Sequence, residues 1–184
     1  MSDLEETLLK RKLVYQGKYL TAEEQTVRLP DGREAKREVI APPDAAAVLP
    51  IDVEGRVYLV RQYRAAIQQT ILEIPAGILD PNEEPQETAR RECGEEVGME
   101  PKRLDFLFKY YHSVGFSTGQ IAVFLGRDLI PKADRHPDPG EFIEVVVMPF
   151  ETLYRQAVSG GIVDSKTLIA VLWYRQHFLL HVTS

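Results

Sequence analysis

Apolar and polar positions along this chain repeat with two different periods. From residue 13 to 41 they alternate in short runs, Leu13–Leu20, Gln25–Leu29 and Arg33–Ile40, as β-strands do. Asp31-Gly32 lies between the last two runs and predicts a hairpin turn. A unit of this size cannot bury enough surface to be stable alone, so it must pack on the rest of the chain, on a second copy, or on both. Pro42 and Pro43 interrupt the alternation and mark a hinge. They divide a small N-terminal antiparallel β subdomain, residues 1–44, from a main domain, residues 45–184. In the main domain Ala46–Ile51 and Val57–Gln62 read as strands around a turn at Glu54-Gly55, and Thr70–Ile74 as a further short strand.

The period then lengthens. Pro85 suits the first position of a helix, Ala89, Cys93 and Val97 recur one turn apart as an apolar stripe, and Gly98 supplies a left-handed C-cap. Strands follow over Leu104–Tyr111 and Gln120–Gly126, separated by a polar loop at 112–119. A second polar loop covers 127–140, and Phe142–Met148 is a β-branched strand. Helices are predicted over Glu151–Val158 and from Asp164 to about His181, the second capped by Asp164 or Ser165. Leu168, Val171, Leu172, Arg175 and Phe178 give that last helix one broad apolar side. The elements sum to an α/β fold, a mixed sheet with helices on both faces.

Charge narrows the partners. A net charge of −6 argues against nucleic acid and against an anionic membrane surface. It allows a phosphorylated small molecule, because a bound divalent cation inverts the local sign. No apolar run is long enough to span a membrane, and the charged start lacks the core of a secretion signal. The lone Cys93 excludes an internal disulfide and fits a reducing, cytoplasmic setting; on the apolar stripe it reads as core.

The candidate chemistry is on the first helix. At about 100° per residue, Glu92 and Glu96 share a face with Glu95 beside them, and Arg91 can bridge Glu87 and Glu95. Crowded carboxylates repel unless a cation sits among them, and oxygen ligands suit Mg²⁺ or Mn²⁺. The alternative is a solvated acidic face. Spacing decides between them. Gly77, Glu83, Arg91, Glu92, Glu95, Glu96 and Gly98 stand at the positions of the Nudix box, which the stretch from Gly77 to Met99 resembles throughout. Seven such identities coincide by chance with a probability on the order of 10⁻⁹ per start position.

The resemblance extends over most of residues 37–175, through VRQYRAA at 60–66, LEIPAGILD at 72–80 and DSKTLIAVL at 164–172. These segments are similar to the ADP-ribose and nucleoside-diphosphate-sugar pyrophosphatase branch. It implies a Nudix-type α/β/α sandwich and Mg²⁺-dependent hydrolysis, with Mn²⁺ as a possible substitute. It also implies a homodimer whose N-terminal β subdomains are exchanged. Glu92, Glu95, Glu96 and the Ala76 carbonyl would be metal ligands, with Gly77 and Gly98 shaping the box. Glu83 would hold the loop or bind an ion through water. Arg61 or Arg64 would contact the substrate's phosphate or terminal sugar, and Glu73 a ribose hydroxyl, a metal-bound water or a salt-bridge partner. The catalytic base would come from the loop before the last core strand, Glu141 or else Glu144, with Glu95 and Arg91 completing the catalytic set. Gly115 and Phe116 would line the distal-sugar pocket. Two places differ from the branch: Pro42-Pro43-Asp44-Ala45 replaces His-Pro-Gly-Ala, and Ser113-Val114-Gly115-Phe116 replaces Ser-Pro-Gly-Phe. The substrate expected first is ADP-ribose, with GDP-mannose or another hexose diphosphate next; a nucleotide-sugar-binding sensor without turnover is the alternative of another class.

Overall fold

The computed structural model describes residues 4–132, 140 and 142–179. Its contacts divide it into two units. One comprises the chain up to Asp44 together with Tyr111–Gln120; the other comprises Ala45–Tyr110 and the chain from Ile121 onward.

In the first unit, β1 (Thr7–Gln16), β2 (Thr21–Arg28) and β3 (Glu34–Ala41) form an antiparallel sheet in sequence order. The β2–β3 turn closes where Asp31-Gly32 predicts it, with Gly32 at φ 87° and its N–H donating to the Leu29 carbonyl at 2.9 Å. β1 begins at Thr7, earlier than the alternation suggests, and is exposed along its whole length. The segment 111–120 is stitched to the end of β3: Ile40 N–H donates to Phe116 O at 2.8 Å and Thr118 N–H to Ile40 O at 3.0 Å.

The second unit contains β4 (Ala45–Pro50), β5 (Arg56–Arg64), β6 (Gln69–Glu73), β7 (Ala76–Ile78), α1 (Pro85–Val97), β8 (Met99–Tyr111), β9 (Gln120–Pro131), β10 (Ile143–Pro149), α2 (Phe150–Val158) and α3 (Ser165–Tyr174). A mixed sheet has the order β7-β4-β9-β8, with β4 parallel to β9 and antiparallel to β7; a second, antiparallel sheet has the order β10-β5-β6. Strand β4 is buried on both faces. Ala46 and Val48 pack with Ala89, Cys93 and Val97 of α1, while Ala47 and Leu49 pack with Leu153 of α2 and Ala170 and Val171 of α3. Helices thus cover both faces, as the pattern predicts, and each fully buried aliphatic side chain contributes roughly 1.5–3 kcal/mol. Among the described residues, no helix is long and apolar enough to cross a membrane.

Further boundaries differ from expectation, β8 among them, which starts at Met99 and not at Leu104. β9 continues through Arg127 and Asp128 to Pro131, because Arg127 pairs with Asp105 of β8 and its polarity is satisfied along the sheet. The short β7 has no sequence signal of its own and exists through pairing with Ala45–Ala47. The last helix is α only to Tyr174 and turns into a π-helical segment, Arg175–Leu179, along which Trp173 stacks on His177 at 3.9 Å; His181 lies outside the described residues. Of its expected apolar side, Val171 is buried and Leu168 and Phe178 pack against the core, whereas Leu172 is exposed; Thr167 and Ala170 are buried in addition.

Candidate active site

Helix α1 is fixed at both ends by its sequence. Pro85 occupies the first turn, Glu84 N–H donates to the Glu87 carboxylate at 3.4 Å, and Gly98 at φ 70° closes the far end with its N–H on Cys93 O. Burying the Ala89–Cys93–Val97 stripe then sets the rotation that carries Glu92 and Glu96 to the β7 loop and leaves Glu95 beside Arg91. Burial pushes the Cys93 thiol pKa up, so it remains a core thiol and not a nucleophile.

The loop comes down onto this face. Val48 N–H donates to Pro75 O at 3.0 Å, and Ala76 N–H donates to Glu96 Oε2 at 2.9 Å. A Cβ on Gly77 would collide with the Glu92 carboxylate, so a larger residue here would displace that side chain from the loop. Glu96 is 3% exposed and yet carries a carboxylate, an expensive burial unless its charge is used or compensated. The donor set is all oxygen, and it fits a hard divalent cation.

Arg91 organises the remaining carboxylates. Its Nε and Nη2 donate to Glu83 at 3.0 Å each, and its Nη1 to Glu92 at 2.7 Å and to Glu95 at 3.0 Å. The expected bridge to Glu95 is present; the one to Glu87 is not, because Glu87 serves the start of the helix and Glu83 offers Arg91 a two-oxygen partner from the loop. Glu83 also accepts from Thr88 Oγ1 at 2.7 Å and from Asp80 N–H at 3.2 Å. The Arg91 guanidinium holds the Glu83 pKa down to about 2, and these carboxylates in turn raise the Arg91 pKa. The Arg91 and Thr88 contacts of Glu83 join loop to helix, and the Asp80 contact closes the loop on itself. Among the described residues, no three acidic, histidine or cysteine side chains are gathered as a ready metal cluster.

A second charge cluster stands at the end of β6. Arg64 donates to Glu73 through Nε at 2.6 Å and Nη2 at 2.7 Å, and Lys166 Nζ donates to the same carboxylate from α3. Burial raises the Glu73 pKa, but hydrogen bonding from Arg64 and the charge of Lys166 outweigh it and hold the group below the ordinary carboxylate value. Lys166, Asp164 and Thr167 are missing from the sequence-based set. The signal for them was a lysine in the first turn of a helix, where the macrodipole disfavours a cation.

The other expected residues are dispersed. Arg61 and Glu144 are cross-strand partners on β5 and β10, paired at 2.9 Å and exposed. Glu141 lies outside the described residues. Gly115 and Phe116 belong to the first unit, where Phe116 lines a groove with Val14, Ala22 and Ile40. Tyr110 is half-buried packing, its ring 6.0 Å from Phe108 and its hydroxyl 3.4 Å from Ser165 Oγ.

The chain is similar to known proteins over most of its length. The NUDIX domain description matches residues 41–168, and the nucleoside diphosphate sugar hydrolase N-terminal domain matches residues 6–40. An ADP-ribose pyrophosphatase of Bacillus subtilis (strain 168) is 37% identical over 172 residues, 93% of each chain. A methanol dehydrogenase activator of Bacillus methanolicus is 33% identical over 179 residues, 96% of this chain and 97% of that one. Among solved structures, an ADP compounds hydrolase superposes with a TM-score of 0.82 at 23% identity, covering 94% of this chain and 93% of that one, which shows a shared fold.

Proposed function

Because the chain belongs to the Nudix hydrolase family, we propose that it hydrolyses the pyrophosphate bond of a nucleoside diphosphate sugar, ADP-ribose first, to AMP and ribose 5-phosphate. The observation that carries this reading is the closure of the Pro75–Ile78 loop on α1, with Ala76 N–H on Glu96 and Gly77 against Glu92. Nudix hydrolases generally use divalent metal ions. We assign Mg²⁺, replaceable by Mn²⁺, with Glu92, Glu95, Glu96 and the Ala76 carbonyl as its holders. When bound, such an ion neutralises charge at phosphorus and makes a bound water more acidic.

The chain's own residues do the rest. Arg91 and Glu83 lock the loop to the helix so that the carboxylates keep their spacing. Arg64 and Arg61 grip the diphosphate, a task suited to a planar guanidinium. Glu141 takes the proton of the attacking water; Glu144 is the second candidate and would have to leave Arg61 to do so. The water oxygen bonds to one phosphorus, the bridging P–O bond breaks, and the bridging oxygen leaves on the other phosphate.

The sugar class is supported by the match of residues 6–40 to a nucleoside diphosphate sugar hydrolase domain. Leu8, Leu9, Leu13, Val14 and Tyr15 are exposed on β1, which supports a homodimer in which a second copy covers them. The buried lone cysteine supports a cytoplasmic setting. A panel of ADP-ribose, GDP-mannose and other nucleotide sugars, incubated with Mg²⁺ or Mn²⁺ and read by ³¹P NMR, tests the reading. It expects two monophosphates from ADP-ribose; binding without cleavage of any member would establish a sensor. The relative named methanol dehydrogenase activator favours a second reading, activation of a dehydrogenase, which an unchanged rate of that dehydrogenase on adding this chain would remove.

A further inference from the structure

Lys166 lies in the first turn of α3 and is 6% exposed, so its charge is disfavoured both by the helix dipole and by burial. Two carboxylates answer it. Its Nζ donates to Glu73 Oε2 and lies 3.1 Å from Asp164 Oδ1. Glu73, 1% exposed, is held by Lys166 on one side and by the Arg64 fork on the other. The next residue grips the backbone: Thr167 Oγ1 donates to Asp164 Oδ2 at 2.5 Å and accepts from Ile74 N–H at 2.8 Å. Ile74 leads directly into Pro75-Ala76-Gly77, the loop whose Ala76 N–H meets Glu96. One turn of α3 therefore holds both the partner of Arg64 and the root of the loop.

Arg64 itself is 44% exposed in its side chain. Nε and Nη2 are committed to Glu73, and Nη1 has no partner among the described residues. A guanidinium fixed along one edge presents the other without the ordering penalty that a free arginine meets on binding.

We propose that Lys166, together with Asp164 and Thr167, is a positioning residue: it pins Glu73 so that Arg64 presents its Nη1 edge to the diphosphate. The proposal rests on the reading of the chain as a diphosphate hydrolase with Arg64 as a substrate contact. It assigns Lys166 no contact with substrate.

The test compares wild type, Lys166→Met, Lys166→Arg, Arg64→Ala and the Arg64→Ala/Lys166→Met double variant in ADP-ribose hydrolysis with Mg²⁺. Lys166→Met is expected to raise KM about tenfold with kcat within about threefold, and Lys166→Arg to recover most of the loss. The double variant should be within about twofold of Arg64→Ala alone, because one residue acts through the other. The Arg64 Nε–H resonance, followed by NMR without turnover, should be protected from solvent exchange in wild type and lose protection in Lys166→Met. Additive KM effects, or unchanged Nε–H protection in Lys166→Met, would overturn the proposal. Wild type that fails to hydrolyse any nucleotide sugar would count against the reaction, whereas the resonance reports on the positioning alone. Should Lys166→Met not fold, Glu73→Gln keeps the shape, removes the charge and is read in the same two assays, with the same loss of protection expected.

Discussion

Two charge clusters of the second unit are built to opposite accounts. At the start of α3, Glu73 and Asp164 stand against Arg64 and Lys166, one cation for each carboxylate. On α1, Glu83, Glu92 and Glu95 share the guanidinium of Arg91, while Glu96 accepts from the Ala76 N–H and lies in the field of Arg64. Both are partly or wholly withdrawn from water, where unbalanced charge is expensive. The first cluster is complete, and a further ion would upset it. The second is the one to which the proposed function assigns a cation. Acidic residues in proximity therefore mean different things according to their local balance, and the proposed metal site is the α1 cluster, where three carboxylates share one guanidinium.

Breaking the α1 cluster should have the largest effect. Glu92→Gln or Glu96→Gln is expected to lower turnover ~10²–10⁴-fold at saturating Mg²⁺, as for loss of a positioned charge; unchanged kcat in both would erase the distinction between the clusters. Breaking the balance should appear in stability. Lys166→Met leaves buried Glu73 short of a partner and should cost ~3–5 kcal/mol in urea unfolding, whereas Glu95→Gln, which relieves repulsion, should cost less than ~1 kcal/mol.

A smaller effect comes from pH. The Glu83 pKa is about 2 in the folded chain against an ordinary 4.5, so its stabilising contribution is complete above about pH 4.5 and lost as pH falls toward 2. The difference in Tm between wild type and Glu83→Gln should therefore close across that window. Least affected should be the exposed Arg61–Glu144 pair: Arg61→Ala is expected to change stability by less than ~1 kcal/mol, checked by the same unfolding assay.

The sequence already carried the α1 site, because its signals are local. Pro85, the Ala89–Cys93–Val97 stripe and Gly98 lie within one helix, and spacing alone places Glu92 and Glu96 on its face. The α3 cluster was only half legible. Arg64 and Glu73 could be singled out, but their pairing depends on the β5–β6 hairpin, and Lys166 reaches Glu73 across ninety-three residues. β7 was invisible for the same reason, since three residues acquire strand character only from a distant partner. Arg127 and Asp128 read as loop because their polarity is satisfied by neighbouring strands and not by their own segment. Arg91 illustrates the limit within a helix: both i±4 partners were plausible, and a loop glutamate outside the helix took one of the places.

The most direct measurement is a Mn²⁺ titration by electron paramagnetic resonance of wild type, a Glu92→Gln/Glu96→Gln variant and a Glu73→Gln variant. The account predicts saturable binding to wild type and to Glu73→Gln, and its loss in the Glu92→Gln/Glu96→Gln variant. Equal binding to all three, or none to wild type, would contradict it.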